Sequence, residues 1–179
     1  MANTERPFGL PLTRPSRVHH VAVVVRSVEQ ALPFYRDGLQ LDLELVKPIP
    51  SDGVTIAFLA VGQSKIELVE PTDPSTGVAR FLESRGEGFH HVCLEVSDIN
   101  AELARLASAG VELIDVTARP GAEGPIAFIH PRSCNGVLVE LIEAPGGPAG
   151  IELGREPSGG AYATASAPAQ NAESTSSDT

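Results

Sequence analysis

The strongest constraint on the fold is an internal repeat in the sequence. Residues 18–25 read VHHVAVVV and residues 89–96 read FHHVCLEV, while residues 66–70 read IELVE and residues 139–143 read VELIE. Four pairs of matching positions recur at an offset of 70–73 residues. They are the two His pairs, the stretches GLQL and GVEL, the stretches IAFL and IAFI, and the first Glu of IELVE and of VELIE. Such agreement indicates a duplicated module. Two such modules often pack about a pseudo-two-fold axis, so equivalent residues are predicted to face each other.

Hydrophobic patterning predicts the same order of elements in both halves: a strand, a helix and three further strands. In the first half, strands are predicted at 17–26, 39–46, 54–61 and 65–70, with a helix at 28–36. In the second half, strands are predicted at 89–96, 111–116, 126–130 and 137–143, with a helix at 99–108. The predicted fold class is therefore α+β, built from two tandem βαβββ modules.

Composition divides the chain into three parts. Residues 1–16 carry three prolines and no periodicity, which predicts a flexible N-terminal arm. One domain is predicted at 17–145, with modules at about 17–71 and 89–144 and a linker helix at 77–85. Residues 146–179 are dominated by Gly, Ala, Pro, Ser and Thr, which cannot bury enough apolar surface to offset the entropy of ordering. That segment is predicted to be a disordered tail.

The composition also excludes several classes of partner. The net charge is −10, and the chain has no Trp and no basic block, which argues against a nucleic-acid partner. No apolar run approaches the ~18 residues that span a bilayer, and the first 15 residues lack a signal-peptide core. Cys93 and Cys134 are the two cysteines, and we interpret both as packing residues rather than a disulfide framework. These features predict a soluble cytoplasmic protein that binds neither membrane nor nucleic acid.

Two His and two Glu residues occupy matched positions in the two halves. A pseudo-two-fold axis would bring His20 opposite His91, and Glu67 opposite Glu140. Two imidazole nitrogens and two carboxylate oxygens suit a divalent first-row metal, and open coordination positions let such a metal act as a Lewis acid. A single His at a strand end is more often structural. The metal hypothesis therefore rests on all four residues occupying matched positions in the two halves.

Side-chain alternation along a strand leaves part of this choice open. It predicts that His19 and His20 point to opposite sides of the strand, and it does the same for the second His pair. It does not say which member of each pair faces inward. For the acids it favours Glu67 over Glu70, because Glu70 shares its face with two large apolar residues. The same reasoning favours Glu140 in the second half.

Two further positions stay open. Glu95 shares a strand face with His91, so it is either a polar group of the cavity or a peripheral charge. Residues 130–136 are predicted to form a turn. The alternative is that Arg132 or Ser133 holds a phosphate of a ligand.

Several stretches carry a resemblance to a known family: KIELVEP at 65–71, RGEGFHHV at 85–92, FIHPRS at 128–133 and GVLVEL at 136–141. Together with VHHVAV at 18–23, they resemble the vicinal oxygen chelate superfamily, and within it the epimerase branch that acts on methylmalonyl-CoA. The resemblance covers about residues 18–143. It implies that the two modules form a cup-like open barrel, and family members commonly form homodimers. It also implies that His20, His91 and Glu140 bind metal, with Glu67 at the remaining ligand position, where some members have Gln.

The function that the resemblance implies is metal-dependent epimerisation of methylmalonyl-CoA or a close 2-alkylmalonyl-CoA, such as ethylmalonyl-CoA. The implied cofactor is one divalent metal ion, with Co²⁺ ahead of Mn²⁺, Ni²⁺, Zn²⁺ and Fe²⁺. It would stabilise the enolate formed when a base removes the C2 proton, before an acid returns a proton on the other face. Glu140 is the candidate catalytic residue, and an acyl-CoA is the expected partner.

Two alternative functions and two departures from the family pattern remain. A glyoxalase-type isomerase uses a similar metal site, and a non-catalytic resistance-type module binds small molecules with the same fold. Ile56 stands where some epimerases have a second catalytic Glu. Lys47, Pro48 and Ile49 stand where the family often has acidic residues before a proline. The identity of the second acid/base is therefore open.

Overall fold

The strands of both halves join in one eight-stranded mixed sheet. The structure is a computed structural model that describes residues 14–143 and 145. Its strands are β1 (Arg17–Val24), β2 (Leu43–Ile49), β3 (Val54–Val61), β4 (Ser64–Pro71), β5 (Gly88–Val96), β6 (Arg119–Pro120), β7 (Pro125–Ile129) and β8 (Leu138–Glu143). They are arranged in the order β2-β3-β4-β1-β5-β8-β7-β6. The halves meet where β1 runs antiparallel to β5, and the predicted α+β fold of two βαβββ modules in a cup-like sheet is confirmed.

The helices are short, and each begins at a residue whose side chain caps it. They are α1 (Val28–Leu32), α2 (Gly77–Arg85) and α3 (Ile99–Ser108), with a 3₁₀ turn at Pro131–Ser133. Ser27, Thr76 and Asp98 accept hydrogen bonds from backbone N–H groups of the first turns of α1, α2 and α3. The predicted helix at 28–36 is α-helical only to Leu32 and continues as a π-helical turn over Pro33–Gly38. Pro33 lacks the N–H that would continue the α-helical pattern.

Two predicted strands differ from the observed ones. The strand predicted at 39–46 lies at Leu43–Ile49, and the strand predicted at 111–116 is reduced to a single bridge between Leu113 and Ile129. The carboxylate of Asp115 accepts the backbone N–H of Phe128 at 2.9 Å, in the place of a ladder carbonyl. A local side-chain bond therefore replaces regular pairing there.

The sheet has one face covered by helices and one face left for a cavity. Helix α1 packs Val28 on Ala57, Leu59 and Leu68, and in the second half α3 packs Ile99 and Leu103 on Ala127, Ile129 and Leu141. The residues that alternate with these, such as Ile56 and Val69, point to the opposite face and line the cavity.

Parts of the predicted domain organisation lie outside the described residues. The structure does not describe residues 1–13 of the predicted arm, residue 144 or the predicted tail at 146–179. At the described end of the arm, the backbone N–H of Ser16 donates to Glu95 O at 2.9 Å. In the described ranges, no helix has the length and apolar character needed to cross a membrane.

Candidate active site

Four neighbouring strands at the centre of the sheet bring the four matched residues together. His20 lies in β1, Glu67 in β4, His91 in β5 and Glu140 in β8. The Nε2 atoms of His20 and His91 are 3.1 Å apart, and Glu140 Oε2 lies 3.0 Å from both. Glu67 Oε2 lies 3.3 Å from His20 Nε2 and 3.5 Å from His91 Nε2. All four side chains are buried and point at one spot.

Strand register explains why these residues meet. Cross-strand pairing forms two adjacent rows: Glu67, Ala22 and His91 in one, and Glu140, Cys93 and His20 in the other. The pseudo-two-fold axis exchanges the rows. The middle residue of each row, Ala22 or Cys93, is small and fully buried. The duplicated sequence therefore builds a site whose two ends are chemically alike.

The prediction that the two histidines of each pair face opposite sides of the strand is wrong. His19 is buried, and its Nδ1 lies 2.9 Å from Nδ1 of His20. In the second half, the Nδ1 atoms of His90 and His91 are 2.8 Å apart. The β1–β5 register skips one residue at each of these places, so His19 and His90 are the extra residues of β-bulges. A bulge breaks the alternation and turns both side chains of each pair inward.

The second Glu of β4 and of β8 accepts a hydrogen bond from the start of a helix. Glu70 accepts the backbone N–H of Val28 at 2.7 Å, and Glu143 accepts that of Ile99 at 3.0 Å. Both N–H groups belong to the first residue of a helix, where the backbone has free donors and the helix dipole favours an anion. Strands β4 and β8 thus each have one Glu in the cavity and one that holds a helix against the sheet.

The electrostatics of the cluster favour a cation at its centre. Burial alone would lower the pKa of His20, but hydrogen bonds with Glu140 and Glu67 outweigh it and raise that pKa to about 9. Burial would raise the pKa of Glu140, but its hydrogen bonds with His20 and His91 hold that pKa well below its usual range. The carboxylates that favour a protonated imidazole would equally favour a metal cation.

The donor set fits a divalent metal. Ligand atoms bound at about 2.1 Å to one ion lie about 3.0 Å apart at right angles and about 3.4 Å apart at tetrahedral angles. The Nε2 atoms of His20 and His91 are 3.1 Å apart, and each lies 3.0–3.5 Å from a carboxylate oxygen of Glu67 and of Glu140. Two nitrogens and two oxygens at these separations suit a first-row divalent ion.

These four residues lie in a cavity of about 630 Å³. Its walls are mainly apolar and include Ile56, Val69, Phe81, Ile126 and Phe128. A mainly apolar cleft with a small cluster of polar groups is the usual form of a small-molecule site.

Sequence reasoning missed the charged residues of the cavity wall. Arg119, Asp52 and Glu123 line the cavity, and Arg119 Nη1 donates to both carboxylate oxygens of Asp52 at 3.0 Å. Lys47 Nζ donates to Ala122 O at 3.3 Å. These contacts join β6 and the turn after it to β2 and the β2–β3 turn of the first half. One feature of the sequence indicated this part of the wall: Gly121 and Gly124 flank Ala122 and Glu123, and such a pair of glycines marks a tight turn.

The residues that the sequence left open have partners within the protein. Glu95 does not line the cavity, and its carboxylate accepts from Arg17 Nη2 at 2.6 Å and from Arg17 Nε at 2.9 Å. The side chain of Arg132 is 77% exposed, and Ser133 Oγ accepts from Glu112 N at 2.9 Å. Cys93 is fully buried, and burial raises the pKa of its thiol, so it stays protonated.

The comparison with known proteins agrees with this geometry. Residues 19–129 match the Glyoxalase/Bleomycin resistance protein/Dioxygenase superfamily. Over 136 residues the chain is 39% identical to the mitochondrial methylmalonyl-CoA epimerase of Mus musculus, which covers 75% of this chain and 76% of that relative. The chain belongs to the methylmalonyl-CoA epimerase family. The resemblance seen in the sequence is therefore confirmed.

Other members of the methylmalonyl-CoA epimerase family match over a similar span. The chain is 40% identical over 129 residues to the ethylmalonyl-CoA/methylmalonyl-CoA epimerase of Cereibacter sphaeroides, covering 70% of this chain and 96% of that relative. The crystal structure of methylmalonyl-CoA epimerase from Mycobacterium tuberculosis is 36% identical, with a TM-score of 0.71, and the match covers 75% of this chain and 91% of that one.

Proposed function

We propose that this chain is a metal-dependent isomerase that interconverts the C2 epimers of methylmalonyl-CoA or of a close 2-alkylmalonyl-CoA. The proposed metal ligands are His20, Glu67, His91 and Glu140, and Glu140 is also the proposed catalytic base. The observation that carries the proposal is the convergence of these four side chains in a mainly apolar cavity, with each imidazole Nε2 lying 3.0–3.5 Å from a carboxylate oxygen of both Glu67 and Glu140. Membership of the epimerase family supplies the reaction class.

The metal would be one divalent ion held by two imidazoles and two carboxylates. When bound, it supplies a Lewis acid that stabilises negative charge on the acyl group of the substrate. Co²⁺ is the proposed ion, with Mn²⁺, Ni²⁺, Zn²⁺ and Fe²⁺ as alternatives, because all suit mixed imidazole and carboxylate ligands.

The two carboxylates would move the proton. Glu140 reaches the centre of the cavity and is the proposed base that accepts the C2 proton from one face. Glu67 reaches the same centre from the other half and, in its protonated form, would return a proton to the opposite face. Proton exchange with water would then restore both carboxyl groups. Ile56, on the strand next to Glu67, also lines the cavity but has no group that exchanges protons. Glu67 is therefore our assignment for the second acid/base.

The apolar walls would protect the carbanion-like carbon from bulk water. Phe128 contacts the ring of His91 at a centroid distance of 5.4 Å, and Phe58 contacts that of His20 at 5.3 Å. A drier site strengthens the electrostatic stabilisation of developing charge. The same walls would hold the C2 alkyl group of the substrate.

The direct test is exchange of the C2 proton with solvent deuterium. We expect the purified chain with one divalent ion bound to exchange that proton of methylmalonyl-CoA, as measured by mass spectrometry, and a chelator to stop the exchange. Exchange with a hemithioacetal but not with the thioester would favour a glyoxalase-type isomerase. Tight binding of the thioester with no exchange would favour a non-catalytic binding module.

Three further statements are proposals of the same kind. We propose that residues 17–145 form the catalytic domain, with residues 1–16 as a flexible arm and 146–179 as a disordered tail. We also propose that the chain acts in the cytoplasm, and that it forms a homodimer, as its resemblance to the family implies. Sedimentation of the full chain should give twice the chain mass, and a monomer at working concentration would contradict the dimer.

A further inference from the structure

His19 is buried beside the candidate metal centre but does not point at it. Its Nδ1 lies 2.9 Å from Nδ1 of His20, and its Nε2 lies 3.5 Å from Oε2 of Glu123. The three side chains therefore form a line from the cavity wall to the proposed ligand. The proposed function assigns no role to His19 or Glu123.

The hydrogen positions along this line follow from the proposed ligation. A histidine that binds metal through Nε2 has no proton there, so its Nδ1 carries the hydrogen. His20 presents Nε2 to the site, so its Nδ1–H donates to His19 Nδ1. His19 then carries its own hydrogen on Nε2, which faces the carboxylate of Glu123. Every polar atom along the line has a complementary neighbour.

The position of Glu123 is fixed by its own surroundings. Glu123 Oε1 accepts from Lys65 Nζ at 2.6 Å, and Lys65 pairs across the sheet with His20. The turn that carries Glu123 is closed by Gly121 N–H, which donates to Gly124 O at 2.8 Å. A Cβ atom at Gly121 would lie 2.6 Å from Ile126, so this position has no space for a side chain. The turn is thus built to hold its acid in one place.

The second half lacks the equivalent arrangement. His90 contacts His91 in the same way, at 2.8 Å, but its ring packs edge-on against Phe81. In the ranges that the structure describes, no ion pair joins His90 to a carboxylate. Among the described residues, an acid therefore supports the near-symmetric site on the His20 side only.

We propose that Glu123 and His19 are positioning residues that orient His20 as a metal ligand, in a relay supplied by the turn of the other half. The inference rests on the proposed function. A metal-bound imidazole is usually held through its second nitrogen, and loss of such a partner typically costs about 10–100-fold in metal affinity or activity. Because Gly121, Ala122 and Glu123 also line the cavity, the relay links the wall that faces the substrate to the metal ligand.

The test measures metal affinity without substrate, by titrating the apo chain with Co²⁺ against a competing chelator. We expect His19→Leu to weaken Co²⁺ binding by about 10–100-fold. His19→Gln should retain most of the affinity, because its amide can both accept from His20 and donate to Glu123. Glu123→Gln should weaken binding several-fold. Glu44→Gln, which removes the other partner of Lys65, is the control and should leave binding unchanged.

A double-mutant cycle separates the relay from a general structural effect. If Glu123 acts through His19, Glu123→Gln should have no further effect on Co²⁺ affinity in the His19→Leu background. An equal effect in both backgrounds overturns the relay, as does unchanged affinity in folded His19→Leu. If His19→Leu does not fold, Glu123→Gln carries the test, and unchanged Co²⁺ affinity in that variant overturns the relay. If the wild-type chain binds no metal, the proposed function and the relay are both wrong. If the wild-type chain binds metal and the variants bind it equally well, only the relay is wrong.

Discussion

Replacing Glu140 with Gln is expected to abolish net epimerisation while leaving proton exchange intact for one of the two epimers. The Gln side chain keeps an oxygen at the ligand position but cannot accept the C2 proton. Loss of one acid/base typically costs about 10²–10⁴-fold in rate. The epimer that loses its proton to Glu67 should still exchange with deuterium, since Glu67 can return a deuteron to the same face.

The reciprocal variant gives the matching control. Glu67→Gln should also stop epimerisation, but the epimer that retains exchange should be the opposite one. Both variants are compared at saturating Co²⁺, with bound metal measured in each. Glu143→Gln, whose oxygen still accepts the Ile99 N–H, should keep wild-type activity. Loss of exchange for the same epimer in Glu140→Gln and Glu67→Gln would contradict the two-carboxylate assignment.

Removal of the metal is expected to have a comparably large effect. A Lewis acid that holds the charge of an enolate supplies several kcal/mol, so the apo chain should be slower by on the order of 10³-fold or more. Adding Co²⁺ back should restore the activity. His20→Ala should lose both the bound ion and the activity, since one of four proposed ligands is gone.

The chain provides its own control for this experiment. His130 lies outside the cavity, and its Nδ1 accepts the backbone N–H of Arg132 at 3.1 Å. His130→Gln should bind one ion and react as the wild type does. Full activity in a chain shown to be free of metal would rule out a metal-dependent reaction.

The repeat and strand alternation predicted much of the central sheet. Alternation favoured Glu67 over Glu70 as the inner acid, and the structure has Glu67 in the cavity and Glu70 at the start of α1. This reasoning works because β4 and β8 are regular strands in which residues i and i+2 share a face. The role of Glu67 and Glu140 as ligands stays a prediction.

Alternation failed at the His pairs because β1 and β5 each contain a bulge. A bulge adds one residue to one strand, and no Gly or Pro marks the position in VHHV or FHHV. The inward position of His19 and His90 was therefore hidden in the sequence. The strand predicted at 111–116 failed for a related reason, because the Asp115 side chain takes a hydrogen bond that regular pairing needs.

The contacts of Glu123 could not be predicted from the sequence either. They join a turn of the second half to β1 and β4 of the first, far apart in sequence. The equivalent turn of the first half lies between β2 and β3 and also carries an acid, Asp52, but that acid pairs with Arg119 and not with a histidine. Contacts of this kind depend on the folded arrangement of both halves.

Anomalous scattering at the cobalt absorption edge, from crystals of the chain loaded with Co²⁺, tests the central claim most directly. We predict one strong peak, about 2.0–2.2 Å from Nε2 of His20, Nε2 of His91 and a carboxylate oxygen each of Glu67 and Glu140. A peak bound by other residues, or no peak in a chain that still epimerises its substrate, would contradict it.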